Sequence, residues 1–320
     1  MEKKIQFEDF CETMRKTIQE RLPEYDVKIQ KILKNNRKEK VCLQILSEDA
    51  PIVPCIYLEP FYEDFLSSDA TMERLTEDVL TAYENSKELR DRDFKDNLNW
   101  IYDFENFEKC KDKLYYRLLN TNMNEELLNT IPHMAFMDLS IVFYLFLKDG
   151  EGSISSIQVT NLILNMWGVT VSDLMQHSKE NTPKLFPLKI CSMSSMLNEF
   201  LPGNSAFPDA ECASIADDFL IVTNERNVNG AAVLLYSNLM DELFEKYPEL
   251  EKAVRLIILP SSIHEFLVLR SALDRMDLDG LQEMVRAVNA DGSIMLREDV
   301  LSNSVYYYYP DTKTFCIAEE

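Results

Sequence analysis

The stretch LIILPSSIHEFLVLR, residues 256–270, sets Ser261, Ser262, His264 and Glu265 between two apolar runs. A serine becomes a nucleophile when an imidazole takes its proton and an acid holds that imidazole in the right tautomer. The same positions also read as a tight connection between two strands, because Pro-Ser-Ser supplies turn residues between LIIL and FLVLR. If 264–270 is a strand, His264 and Glu265 point to opposite faces and Glu265 cannot orient its neighbour, whereas Ser262 shares the face of His264. The spacing favours the turn and leaves Ser262 and His264 as the candidate catalytic pair. The chain has three histidines, the others being His133 and His177.

A second polar island, TNERNVNGAA (223–232), carries an Asn-Gly turn signal at 229–230. Asn224, Arg226 and Asn229 are its candidate ligand-binding residues, against the simpler reading of a polar hairpin loop. VYYYYP (305–310) would serve as a stacking platform for bases in a basic protein. In this acidic chain it reads as a strand with two tyrosines in the core and two outside. LNMWGV (164–169) reads as a helix end, with Trp167 as a core anchor and Gly168 just past the last turn.

Much chemistry lacks its parts. None of the seven glycines falls in a dinucleotide or P-loop pattern. No HExxH, no histidine pair at i,i+4, no EF-hand loop and no GxSxG elbow occurs. The seven cysteines include no CxxC, so reduced thiols are expected rather than a disulfide framework or a zinc site. No cofactor and no metal is expected, although 55 acidic residues leave a carboxylate pair open.

The net charge of −22 is concentrated in 51–110 and 201–320. Such a surface repels phosphate backbones, so no nucleic-acid partner is expected, and an acidic mimic that occupies a basic partner is the charge-based alternative. The N-terminus has acidic residues where a secretory signal needs an apolar stretch. The longest apolar run, LSIVFYLFL (139–147), is too short to span a bilayer. A cytoplasmic protein with no membrane association is expected.

Helical spacing predicts a helix over 7–22, with Phe7, Phe10, Cys11, Met14, Ile18 and Leu22 on one face. A hairpin follows over 25–33 and 41–46, then a short edge strand in 52–62 and a helix over 71–87. Helical layers are expected over 104–120 and 124–131, and a hairpin over 137–147 and 153–160. A helix from Thr170 opens on a capping box with Asp173, and Pro183 limits its run. After a loop over 200–214, strands are expected at 219–224, 231–236, 256–259, 265–270 and in the last twenty residues. Paired strands with helices between the pairs imply an α+β protein with antiparallel sheets. Two lobes are expected, 1–132 and 133–320.

Five blocks carry a resemblance: APIVPCIYLEPFYEDF, IPHMAFMDLSIVFY, WGVTVSDLMQHSKENTPKLFP, FLIVTNERNVNGAAVLLY and LIILPSSIHEFLVLR. In that order they resemble domain-of-unknown-function family 5688, a family of cytosolic bacterial proteins. The WGVTVSDLMQHSKEN block is also locally similar to family 1444, another uncharacterised bacterial group. Neither resemblance implies an activity, cofactor or catalytic residue. The missing chemistry favours a non-enzymatic binding or regulatory protein with a protein partner. The alternative is a hydrolase or small-ligand enzyme using Ser262 and His264.

Overall fold

The computed structural model describes residues 5–46, 53, 55–68, 70–86, 104–150, 153–200, 218–260, 262–270 and 278–319. The loop expected over 200–214 lies outside them, except for Phe200. Among the described residues the architecture is α+β, with three antiparallel sheets. Contacts along the chain divide it into Met1–Tyr102 and Asp103–Glu320. Position 132/133 lies inside the second of these, within the sheet that joins 114–120 to 139–150.

The first unit opens with helix Phe7–Arg21, whose Phe10, Cys11, Met14 and Ile18 are buried at the expected spacing. Burial of apolar side chains of this kind contributes about 1.5–3 kcal/mol each. The helix face packs with Val27, Leu43 and Ile45 of a three-stranded sheet: β1 (Asp26–Leu33), β2 (Glu39–Leu46) and β3 (Ile56–Tyr57). Among the described residues of 52–62, Ile56 and Tyr57 form the edge strand, and Pro60 instead opens helix Glu59–Ser67. Proline is tolerated in a first turn, where its missing N–H would have had no partner. A further helix over 72–86 adds Leu75, Val79 and Tyr83 to this core. The Thr71 hydroxyl caps its first turn, accepting from the Arg74 N–H at 3.3 Å.

The second unit holds two sheets. In the four-stranded one, β4 (Leu114–Asn120) pairs with β6 (Leu139–Gly150), which on its other side pairs with β5 (His133–Phe136) and β7 (Ser153–Gln158). The six-stranded one runs β13-β12-β10-β11-β9-β8. Its members are β8 (Leu188–Ser192), β9 (Phe219–Asn224), β10 (Leu256–Leu259), β11 (Phe266–Leu269), β12 (Tyr306–Tyr309) and β13 (Thr314–Ile317). One face contributes Leu220, Val222, Leu256, Ile258, Phe266, Val268, Tyr306 and Tyr308 to the main core, together with Tyr116, Leu118, Ile141 and Phe143 of the other sheet. The opposite face, with Ile257, Leu259, Leu269 and Tyr307, is covered by Leu281 and Val285 of helix Leu278–Ala290.

That double burial corrects the tyrosine reading. Tyr306, Tyr307 and Tyr308 are all buried, because β12 has apolar layers on both faces rather than solvent on one. Residues 114–120 are a strand and not the end of a helix, since seven registered pairs with β6 override helix-forming leucines. The outer edge of β4 is satisfied by helix Val171–Leu185. Tyr116 N–H donates to Thr182 Oγ1 at 3.2 Å, and Asn181 Nδ2 donates to the Leu114 carbonyl at 3.1 Å. This helix has the Thr170–Asp173 capping box and runs two residues past Pro183. Near the C-terminal turn that proline deprives only one carbonyl of its donor. Residues 230–235 are a 3-10 helix and not a strand. Both edges of β9 are already taken by β8 and β11, so no edge is left for a hairpin partner. Trp167 and left-handed Gly168 end helix Asn161–Trp167 as the sequence indicates.

Asp138, in the turn between β5 and β6, ties the two sheets together. Its Oδ2 accepts from Ser302 Oγ at 2.6 Å and Ser304 Oγ at 3.1 Å, and its Oδ1 accepts from the Tyr306 hydroxyl. Replacement Asp138→Ala leaves buried hydroxyls without their acceptor. The expected loss is about 2–4 kcal/mol in urea denaturation; a change under half a kcal/mol would show that the carboxylate is incidental.

Candidate functional site

The turn between β10 and β11 is built from its own polar groups. The Ser262 hydroxyl accepts from the His264 N–H at 2.9 Å, which folds residues 262–264 into a compact bend. Ser261 lies outside the described residues. The Ile263 N–H donates to the Asp299 carbonyl at 2.8 Å and the Ser302 N–H to the Pro260 carbonyl at 3.0 Å, so the segment 299–302 pins the turn from one side. From the other, Thr223 Oγ1 donates to the His264 carbonyl at 2.7 Å. Ala231 N–H donates to the Ile263 carbonyl at 3.1 Å.

Both nitrogens of the His264 ring have partners. Nδ1 accepts from the Asn229 backbone N–H at 3.3 Å, and Nε2 lies 3.3 Å from Asp299 Oδ1. This fixes the neutral tautomer as the one with its proton on Nε2. The Asp299 carboxylate, helped by Glu265, raises the His264 pKa above its ordinary value, while burial and the Arg117 charge oppose it. Glu265 is also raised, chiefly by burial, with the Ser262 hydroxyl and His264 pulling the other way and Asp299 pushing up. Ser262 is therefore engaged with the His264 backbone and with Glu265, while the ring faces Asn229 and Asp299.

Strand β11 begins only at Phe266, so the strand alternation that would separate His264 from Glu265 does not reach them. Both line one open cleft of about 440 Å³, together with Thr223, Asn227, Ser262 and Asp299. Ile294 and Leu296 form an apolar rim, 64% and 57% exposed. Sequence spacing could not reach Asp299, 35 positions from His264, because long-range proximity leaves no local pattern.

The second polar island is divided. Asn229 meets the histidine through its backbone, in a left-handed conformation with φ of 51°. Asn224 closes its own loop, donating to the Val228 carbonyl at 2.9 Å and accepting from Arg226 N–H at 3.0 Å. Arg226 turns to helix Val171–Leu185, with Nε donating to the Leu185 carbonyl at 3.0 Å and the guanidinium over Phe186. The other histidines lie elsewhere: His133 is exposed on β5, and the His177 ring packs edge-on against Phe107. Among the described residues no group of three His, Cys, Asp or Glu side chains is placed to hold a metal.

A family model described as a family of unknown function, DUF5688, matches residues 7–309, with the turn, the polar island and Asp299 all inside the match. The chain belongs to DUF5688. No curated protein and no solved structure is matched, and the local likeness to family 1444 is not among these findings. In this DUF5688 member no helix among the described residues is long and apolar enough to cross a membrane.

Gly230 shows how tightly the turn is held. A Cβ there would stand 2.0 Å from Thr223 Oγ1 and 2.3 Å from the His264 carbonyl oxygen. Gly230→Ala should lose about 2–3 kcal/mol on chemical denaturation, the scale of an overpacked core position. The His264–Asp299 contact also sets a pH dependence. A pKa raised by folding contributes stability that is fully present below the unfolded value of about 6.5 and is lost as pH rises through the folded value. The stability gap between the parent protein and Asp299→Asn should therefore be largest below about pH 6.5 and narrow as pH rises through the folded value. A gap that widens with pH would refute the assignment.

Proposed function

We propose that this protein is a non-enzymatic binding or regulatory protein of the bacterial cytoplasm, and that the His264 cleft takes an apolar segment of a protein partner. The observation that carries this reading is the commitment of both His264 ring nitrogens to Asn229 and Asp299. With the ring so placed, Ser262 has no imidazole to take its proton, and the Ser-His pairing of a serine hydrolase is unmet. The exposed Ile294 and Leu296 side chains at the rim give an apolar contact surface beside polar groups, a composition suited to protein recognition. The chain's acidity argues against nucleic acid as the partner.

Affinity capture from the host lysate, with mass spectrometry of proteins and small molecules, tests the proposal. The parent protein and His264→Ala should both retain one stoichiometric protein, and Ile294→Asp/Leu296→Asp should lose it. In parallel, turnover of a simple activated ester should be the same for the parent protein and Ser262→Ala. A small molecule retained only when His264 is present, or ester turnover that falls at least tenfold in Ser262→Ala, would make the cleft an active site instead.

A further inference from the structure

The three-stranded sheet of the first unit brings two cysteines together. Cys42 on β2 stands opposite Tyr57, and Leu43 stands opposite Ile56. Continuing that register sets Cys55 opposite Gln44, and Gln44 Nε2 reaches Cys55 Sγ at 3.4 Å. Residues directly opposite share a face, so Cys42 and Cys55 form a diagonal pair on one side of the sheet. It is the side away from the apolar core, which takes Leu43 and Ile45. Cys42 is nevertheless fully buried, whereas Cys55 is half-buried. One cysteine is thus partly open to solvent and the other lies beside it, screened.

We propose that Cys42 and Cys55 form a reversible, peroxide-induced disulfide that staples β3 to β2. Burial and the neighbouring Cys55 thiol push the Cys42 thiol up to about 12. Cys42 is therefore a poor first nucleophile, and the accessible Cys55 starts the reaction. Its thiolate attacks one oxygen of hydrogen peroxide, the O–O bond breaks, and hydroxide leaves with the thiol proton as water. The Cys42 sulfur then attacks the Cys55 sulfenic sulfur, the S–O bond breaks, and the leaving hydroxide takes the Cys42 proton as a second water. Two thiols and one peroxide give one disulfide and two waters.

Diagonal neighbours have Cα atoms about 7–8 Å apart, slightly beyond the span of a relaxed disulfide. The backbone must close by roughly an ångström. Strand β3 is only two residues long and Cys55 precedes it, so the shift falls outside the hydrogen-bonded ladder. A bridge formed at such a position is strained and easily reduced, as a reversible modification requires.

The test uses the full chain carrying Cys316→Ser, which removes the exposed thiol. After brief peroxide treatment and alkylation of remaining thiols, the protein is cut at Glu48, between the two cysteines. Non-reducing mass spectrometry should show the Cys42 and Cys55 peptides joined, with two thiols lost from alkylation and both recovered by dithiothreitol. Cys55→Ser, at the half-buried position, should leave Cys42 free. Cys42→Ser should leave a Cys55 sulfenic acid that dimedone traps. Full alkylation of both thiols after peroxide, or pairing of Cys55 with any other cysteine, would overturn the proposal.

Discussion

The Asp138 carboxylate is the joint on which the second unit turns. It sits in a tight bend of one sheet and gathers hydroxyls from Ser302, Ser304 and Tyr306, more than 160 residues further along the chain. A carboxylate with several hydroxyl donors is held more strongly than a neutral acceptor. The bond to Tyr306 also fixes β12, whose neighbours in the sheet are β13 and β10. From β10 the chain passes directly into the Ser262–His264 turn, and Ser302 itself donates its N–H to Pro260 at the start of that turn. The geometry of the cleft therefore depends on an anchor outside it.

The turn shows how polar residue types that suggest catalysis can instead build architecture. Each polar group near His264 has a partner that shapes the chain: the Ser262 hydroxyl caps a bend, Thr223 holds a carbonyl, and Asn229 and Asp299 hold the ring. The close approach of Gly230 to the His264 carbonyl makes this possible, since no other residue type leaves room for two backbone segments there. What remains open to solvent is an apolar rim on a polar floor, and the proposed binding role follows from that remainder.

Local chemistry was legible in the sequence, and long-range pairing was not. The helix over 7–21 announced itself by one apolar face, and the Thr170–Asp173 box and Gly168 marked helix ends whose causes lie within four residues. The errors share a cause. LYYRLLN has buried residues on both faces and so shows no alternation, and its strand identity comes from β6. AAVLLY has the composition of a strand, yet β9, the strand before it, has both edges taken. For the site, the turn was readable from Pro-Ser-Ser, but Asp299 was not, because its approach to His264 is made by the fold alone.

Strand β6 has a consequence for how the second unit assembles. It pairs with β5 and with β7 on the same side, one after the other along its length, and each is its immediate neighbour in sequence. These two local hairpins need little loop closure, so they form on the microsecond scale of isolated hairpins, ahead of the pairing of β9 with β11 across more than forty residues. The middle of β6, paired on both sides and buried at Val142 and Phe143, then becomes the template that later strands find already in place. Pairing on both sides and burial make this the part of the unit least able to open locally.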